Sequence, residues 1–186
     1  MIESKNAVYF NAKGEMVDRQ DILQQEGCNL ELEYCASAIV PDGFTFRFEN
    51  FDSFKACSDI SDLVCVLKLE ELEGTVTDPS GRVIPCPLLV DAVHLIGNAK
   101  FHINVGELIP DFPGTRFGPP CRLTMDAVPA VNQVISYTCP QESCVERCFD
   151  TVGSFAIAPR ITTDNCGRQV VTVRGGLFLR FLGCEE

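Results

Sequence analysis

The sequence predicts an all-β protein, either a β-sandwich or a jelly roll with one or two short helices. Turn signals are dense, the segments between them alternate between apolar and polar residues, and helical signals are few. Residues 44–48 place three phenylalanines on one face of a strand and Thr45 and Arg47 on the other. Residues 100–105 alternate in the same way, with His102 on the polar face.

Turn residues mark the ends of the strands in the first half of the chain. Residues 8–17 predict a hairpin in which Gly14 takes a left-handed conformation. The segments 41–43 and 78–81 each place a proline before a glycine, which supplies a fixed φ followed by a positive φ. Residues 88–96 are mostly apolar and long enough for a buried strand, with a short helix as the alternative.

The last third of the sequence predicts a second hairpin. Its strands are residues 170–174 and 177–182, and Gly175 and Gly176 form a two-residue turn because glycine tolerates positive φ. The second strand is apolar on both faces, so we expect both faces to be covered. Short helices are expected at residues 18–25 and 139–148.

Chain length and composition predict one domain over residues 1–186. Hydrophobic residues make up 46% of the sequence, enough to bury a core without help from disulfides. Residues 110–120 contain four prolines and two glycines and predict a long surface loop or a boundary, since proline denies a sheet its ladder hydrogen bonds. We favour the long loop.

The charge excludes several classes of partner. The formal net charge is −11, from 26 acidic and 15 basic residues, which argues against nucleic acid and anionic membranes. No apolar run is long enough to span a bilayer, and the first residues lack the basic and apolar stretches of a secretory signal. We therefore expect a protein that is oxidised after synthesis inside a cell, a cytoplasmic protein with metal-bound thiols, or a mature secreted domain.

Cysteine usage is the most informative feature for function. Eleven cysteines in one chain indicate an environment in which thiols become oxidised, and the odd number leaves at least one for a neighbour, a metal or chemistry. They are Cys28, Cys35, Cys57, Cys65, Cys86, Cys121, Cys139, Cys144, Cys148, Cys166 and Cys184.

The positions of the cysteines separate internal from intermolecular candidates. Cys28 and Cys35 cannot bond within one straight strand, because seven residues span about 23 Å and a disulfide needs Cα atoms within about 7 Å. Cys65 and Cys86 are predicted to be core residues or members of internal disulfides. Cys184, near the end of the chain, is the first candidate for a bond between chains, and an internal bond is its alternative.

Three further cysteines belong to the same set of candidates. Cys166 lies at a predicted loop tip and is the second candidate for an intersubunit bond. Cys28 and Cys35 complete the set, because each needs a reversal of the chain or a partner elsewhere.

A metal site is the alternative use of the densest cysteine cluster. Cys139, Cys144 and Cys148 could hold zinc together with a fourth ligand such as His102 or Cys166. The chain contains no Cys-x-x-Cys pair, which weakens both the zinc and the thiol-redox interpretation. We favour disulfides over metal here, and we expect no cofactor unless the zinc alternative holds.

The sequence predicts no catalytic residues. The chain has two histidines, His94 and His102, and no motif surrounds a serine or cysteine nucleophile. Asp91 with His94 and a nearby cysteine would form a nucleophile arrangement only if the fold brought them together. We expect that the protein is not an enzyme.

Abundant thiols, their odd number, the acidic charge and the β pattern together resemble the cysteine-rich structural proteins of bacterial endospores, namely coat proteins and spore-appendage pilins. The resemblance is one of composition and layout. It implies synthesis in the mother cell, assembly of jelly-roll subunits by strand complementation, and disulfides between subunits. Appendage pilins carry cysteines in an N-terminal arm, whereas the first cysteine here is Cys28. An arm formed by residues 1–8 would act without a thiol, which favours Cys184 as the donor.

We therefore expect a structural, self-assembling subunit of a spore coat or extracellular filament. Its partners would be copies of itself and other cysteine-rich structural proteins. One alternative is a cytosolic zinc-binding or thiol-redox protein centred on Cys139, Cys144 and Cys148. Another is a secreted β-sandwich module that binds a carbohydrate or a cation.

Overall fold

The computed structural model of this chain describes residues 7–23, 29–77, 81, 83–112, 121–138 and 148–183. These residues are almost entirely β-strand, which confirms the predicted all-β class. Their elements are β1 (Ala7–Asn11), β2 (Met16–Val17), α1 (Arg19–Leu23), β3 (Asn29–Ile39), β4 (Phe44–Phe46), β5 (Lys55–Asp59), β6 (Val64–Thr77), β7 (Val83–Asn98), β8 (Lys100–Pro110), β9 (Arg122–Ala127), β10 (Ala130–Thr138), β11 (Phe149–Thr163) and β12 (Gln169–Phe181).

The strands form three antiparallel sheets. The largest has five strands in the order β2-β1-β11-β12-β3. A second sheet has the order β10-β7-β6, and in the third β4, β5 and β9 all pair with β8. Because β8 and β9 pair directly, the chain returns to the same sheet after the proline-rich stretch, of which residues 113–120 lie outside the described residues.

The main core lies between the five-stranded sheet and the sheet built on β8. Alternate residues of β3 and β12, such as Leu32 and Val173, meet Phe101, Ile103 and Val105 of β8 in one buried cluster. The strict alternation predicted for residues 100–105 is therefore confirmed, and His102 is exposed. A hydrogen bond also links these two sheets, because the backbone N–H of Phe46 in β4 donates to Oε1 of Gln169 in β12 over 2.9 Å.

The opposite face of the five-stranded sheet has a smaller cluster of its own. Ile22 of the five-residue helix α1 packs against Val152, Phe155 and Phe178. The helix lies within residues 18–25, where one was predicted. Both faces of β12 are thus covered at its centre, as its apolar sequence indicated. The second predicted helix, at residues 139–148, falls almost wholly outside the described residues.

Two predicted glycine turns are confirmed, and one predicted hairpin is wrong. Gly14 and Gly43 have φ of 79° and 83°, as the turn chemistry requires. Gly175 and Gly176, however, lie inside the continuous strand β12, in register with Tyr34 and Glu33 of β3. These two glycines therefore do not form a turn.

Packing explains why glycines occupy the centre of β12. A Cβ on Gly175 would lie 2.5 Å from the hydroxyl oxygen of Tyr34, and one on Gly176 would lie 2.7 Å from the ring of Phe155. The ring of Tyr34 thus crosses one face of β12 at Gly175, and the ring of Phe155 crosses the other face at Gly176. Close approach of neighbouring side chains is the second common reason for glycine within a strand.

The β6–β7 pair continues beyond the rest of its sheet. Among the described residues, β10 pairs with β7 only as far as Asp91, whereas β6 and β7 stay paired to Thr77 and Val83. We call residues 70–77 and 83–90 the distal ribbon. Exposed leucines lie on both of its faces, with Leu88 and Leu89 53% and 59% exposed. No helix in the described part of the chain has the length and hydropathy needed to cross a bilayer.

Candidate functional site

A disulfide between Cys65 and Cys148 joins two of the sheets. Their Cα atoms are 6.1 Å apart, within the normal range, and 83 positions separate them in the sequence. Cys148 is fully buried and Cys65 nearly so, which confirms the prediction that Cys65 is a core residue in an internal disulfide. The backbone N–H of Leu182 donates to the Cys148 carbonyl over 2.8 Å, so the end of β12 is attached at the same place.

Four other cysteines with described side chains are free and exposed. They are Cys35 in β3, Cys57 in β5, Cys121 before β9 and Cys166 between β11 and β12. They lie on separate elements, and none has formed a disulfide with another described cysteine. The described surface therefore presents reduced sulfur at four places while the core disulfide is formed.

Cys166 lies in the loop tip predicted from the sequence, and a local network orders that loop. Its backbone N–H donates to Oδ1 of Asp164 over 2.9 Å, and Gly167 takes a positive φ of 81°. Arg168 forms a 2.9 Å ion pair with Asp164. Its backbone N–H is the main influence lowering the pKa of that carboxyl group. Cys166 is thus displayed on a structured turn.

Cys35 faces outward from an edge strand of the five-stranded sheet. It lies opposite Arg174 of β12, and Arg174 in turn lies 3.4 Å from a carboxylate oxygen of Glu33. Alternation along β3 explains the exposure, because Tyr34 and Ala36 on either side point into the core. The predicted intersubunit candidates Cys28 and Cys184 lie outside the described residues.

Cys57 belongs to a row of three side chains, a thiol, an imidazole and a carboxylate, whose alignment the sequence did not reveal. Cys57 of β5 lies opposite His102 of β8, and His102 lies opposite Asp126 of β9. His102 Nδ1 and Asp126 Oδ1 are 2.6 Å apart. All three side chains share the solvent-facing side of the sheet, since Phe101 and Ile103 occupy the other.

The Cys57 row supplies the parts of an assisted thiol. A carboxylate that accepts a hydrogen bond from Nδ1–H leaves Nε2 free to accept a proton from a neighbouring donor. The same order of cysteine, histidine and acid activates nucleophilic thiols in general. Only strand register brings the three together, because they lie 45 and 24 positions apart in the sequence.

The described residues do not gather the ligands of the zinc alternative. No three His, Cys, Asp or Glu side chains among them form a group that could hold a metal ion. Cys148 was assigned to that alternative and is instead bonded to Cys65, so in this state its sulfur is not a thiolate. Cys139 and Cys144 lie outside the described residues, as does the side chain of Cys86.

The other histidine lies on the outer face of the β10-β7-β6 sheet. His94 Nε2 is 3.2 Å from a carboxylate oxygen of Glu70, and its Nδ1 is buried without a hydrogen-bond partner. On the partner strands, Val66 of β6 and Val134 of β10 lie opposite His94. The sequence raised an arrangement of Asp91, His94 and a nearby cysteine only on the condition that the fold brings them together. The structure describes no free cysteine next to His94.

A cavity of about 440 Å³ lies between the two main sheets, at the end where β1 and β5 approach each other. Its walls include the aromatic rings of Phe10, Tyr34, Phe54 and Phe101. Sequence reasoning missed this cavity, because its walls come from six separate segments and no local pattern marks it. Comparison of the chain with family models, with curated proteins and with solved structures finds no match.

Proposed function

We propose that the chain is a structural subunit that assembles with copies of itself and is cross-linked through surface cysteines. The subunit would be of the kind that builds endospore coats or spore-appendage filaments. The observation that carries the proposal is the division of the described thiols into one buried disulfide and four exposed free cysteines. The four exposed thiols lie on separate elements and form no disulfide with one another, so they are available for bonds with other molecules.

The distal ribbon supports the assembly proposal independently. A two-stranded ribbon is marginally stable in water, and this one exposes Leu88 and Leu89 on its opposite faces. It also leaves strand edges without a pairing partner among the described residues, which is the geometry that invites strand addition from another chain. A contact of this kind that does not close on itself would produce a filament.

The charge of the ribbon indicates the geometry of that contact. Glu70, Glu71 and Glu73 follow one another along β6, so two ribbons laid side by side in register would repel. A head-to-tail contact, in which the ribbon meets a different surface of the next copy, avoids this repulsion. We infer that assembly is head-to-tail, and that disulfides then lock the contact.

Electrophoresis without and with reductant tests the proposal. The full chain, oxidised in air at neutral pH, should give a ladder of covalent multimers that collapses to monomer on reduction. The variant in which Cys35, Cys57, Cys121 and Cys166 are all serine should give a shortened or absent ladder. A wild-type chain that stays monomeric under oxidation at high concentration would refute the proposal.

The ribbon has a matched control. Leu89→Ser should weaken noncovalent association measured by light scattering in reductant, because it removes an exposed apolar side chain from the ribbon. Val128→Ser removes a similarly exposed apolar side chain elsewhere, 58% exposed between β9 and β10, and should leave association unchanged. Equal effects of both variants would mean that the ribbon is not the contact.

A further inference from the structure

We propose that the cavity between the two main sheets binds a small amphipathic carboxylate, with its apolar body inside and its charged group at the mouth. This proposal does not depend on assembly. The volume of about 440 Å³ falls within the range of about 300 to 1,000 Å³ that is typical of ligand pockets. Most protein interiors leave no void of this size, because they pack as densely as organic crystals.

Small side chains on facing strands create the space. Ser154 and Ala156 of β11 line one wall, and Ala56 and Ser58 of β5 line the other. Register places Ser58 on the face of its sheet that carries Phe101, so the side chain of Ser58 points between the sheets. Larger residues at these positions would fill the gap, so the cavity exists because these side chains are small.

Tyr34 provides a polar group at the wall of the cavity. Tyr34 has a relative exposure of 5%, and its ring packs at a tilt of 39° against Phe101 with centroids 4.5 Å apart. The ring crosses over Gly175, which brings the hydroxyl toward Ala156 and Ser154 on the cavity wall.

The charged side chains that line the cavity indicate the class of ligand. Lys13 of the β1–β2 turn and Lys55 of β5 both line the cavity, against one carboxylate, that of Asp52. All three are exposed, so they belong to the mouth of the cavity and not to its depth. A local excess of cation in a chain of net charge −11 favours an anion at this place.

The remaining lining is aromatic and aliphatic. Phe10, Phe54 and Leu177 supply apolar surface on three sides of the cavity. An apolar body of aromatic or medium-chain aliphatic type therefore fits the interior, while the carboxylate stays near the lysines and water. The hydroxyl of Tyr34 then favours ligands whose body also carries an oxygen acceptor.

Titration of the full chain with two probes tests the proposal. Anilinonaphthalene sulfonate, an apolar anion, should bind at one saturable site and fluoresce, and octanoate should displace it. Octylammonium, with the same chain and the opposite charge, should displace the probe about tenfold less well. The double variant Lys13→Gln/Lys55→Gln should abolish that preference, and Lys68→Gln, which changes a lysine on β6 away from the cavity, should preserve it.

A filling variant locates the site. Ser58→Leu changes an exposed residue of an edge strand, so the fold should keep its midpoint of thermal unfolding while octanoate affinity drops at least tenfold. Binding of the fluorescent probe that is equal in Ser58→Leu and in the wild type would place the probe elsewhere, for example on the leucines of the distal ribbon, and overturn the proposal. Absence of saturable binding, or equal displacement by octanoate and octylammonium, would overturn it as well.

Discussion

At the scale of single residues, Cys57 differs from the other exposed thiols in its neighbours. His102 lies beside it across the strand pair, and the carboxylate of Asp126 is 2.6 Å from His102 Nδ1. Base assistance should make Cys57 react with an aromatic disulfide roughly tenfold faster than Cys166 at neutral pH. The gain is modest because the side chains of His102 and Asp126 are 63% and 72% exposed, and water screens such pairs.

Variants of the base test the reactivity of Cys57. His102→Gln should slow the reaction of Cys57 to the rate of Cys166, and Asp126→Asn should have a smaller effect in the same direction. Both rates are read from release of the aromatic thiolate in chains that retain a single exposed cysteine. The rate of Cys166 serves as the internal control. If His102→Gln leaves the rate of Cys57 unchanged, the row has no chemical role.

Burial of Tyr34 predicts a loss of stability in alkali. Desolvation raises the pKa of Tyr34 to about 12 from an ordinary value of 10.0. Between about pH 10 and pH 12 the unfolded chain loses this proton while the folded chain keeps it, so the free energy of unfolding falls as pH rises. The full effect is on the order of 2 kcal/mol.

Tyr34→Phe isolates the contribution of Tyr34. Urea unfolding at pH 9 and at pH 11.5 should show a smaller loss of stability in the variant than in the wild type. The chain has three tyrosines and no tryptophan, so phenolate absorbance provides a second readout. The folded wild type should show a late step of phenolate titration, and that step should vanish in Tyr34→Phe. Its persistence would assign the late step to another tyrosine.

At the scale of elements, the central glycines of β12 are required by packing and not by a turn. Gly176→Ala should lower the free energy of unfolding by about 2 to 3 kcal/mol, because the added Cβ would lie 2.7 Å from the Phe155 ring and closer still to the Leu32 carbonyl. Gly14→Ala is the matched control, since nothing lies within 4 Å of its added Cβ. Its cost of about 1 kcal/mol would come from positive φ alone. Equal costs for both variants would contradict the packing argument.

These glycines also show where the sequence is informative and where it is not. Alternation predicted the faces of residues 44–48 and 100–105 correctly, because side-chain period is a local property of a strand. The Gly-Gly pair satisfied the same local rule for a turn, and only Tyr34 and Phe155 on neighbouring strands reveal the other reason for glycine. Local patterns cannot separate a turn glycine from one crossed by a distant ring.

The candidate sites follow the same division. The sequence placed Cys166 at a loop tip and predicted Cys65 to be a core residue or a member of an internal disulfide, because flanking residues report turns and burial. The row that contains Cys57 depends on the pairing of β5, β8 and β9, which no local signal encodes. The cavity depends on how two sheets separate at one end, so it too becomes visible only in three dimensions.

At the scale of the whole molecule, one disulfide links the three-stranded sheet to the five-stranded sheet. Cys65 is the second residue of β6 in the three-stranded sheet, and Cys148 immediately precedes β11 of the five-stranded sheet. The bond therefore closes a loop that contains β7, β8, β9 and β10. Strands of the three-stranded sheet and of the sheet built on β8 lie within that loop, and Cys148 adjoins β11 of the five-stranded sheet, so the bond constrains all three sheets.

The length of that loop predicts the contribution of the disulfide to stability. Closing a loop of 83 positions removes unfolded-state entropy worth about 4 kcal/mol in the chain-entropy account. Cys65→Ala/Cys148→Ala should lower the free energy of unfolding in urea by about that amount. Cys35→Ala/Cys166→Ala, which removes two exposed thiols, should leave it unchanged within about 0.5 kcal/mol.

The rate at which the Cys65–Cys148 disulfide is reduced should reveal the same constraint. Cys148 is fully buried, so dithiothreitol should cleave the bond only as fast as the structure opens, while the exposed thiols react with an alkylating agent at once. Mass spectrometry of chains alkylated at successive times separates the two classes. Rapid cleavage of the bond in native buffer, with no change in fold, would show that this disulfide does not hold the layers together.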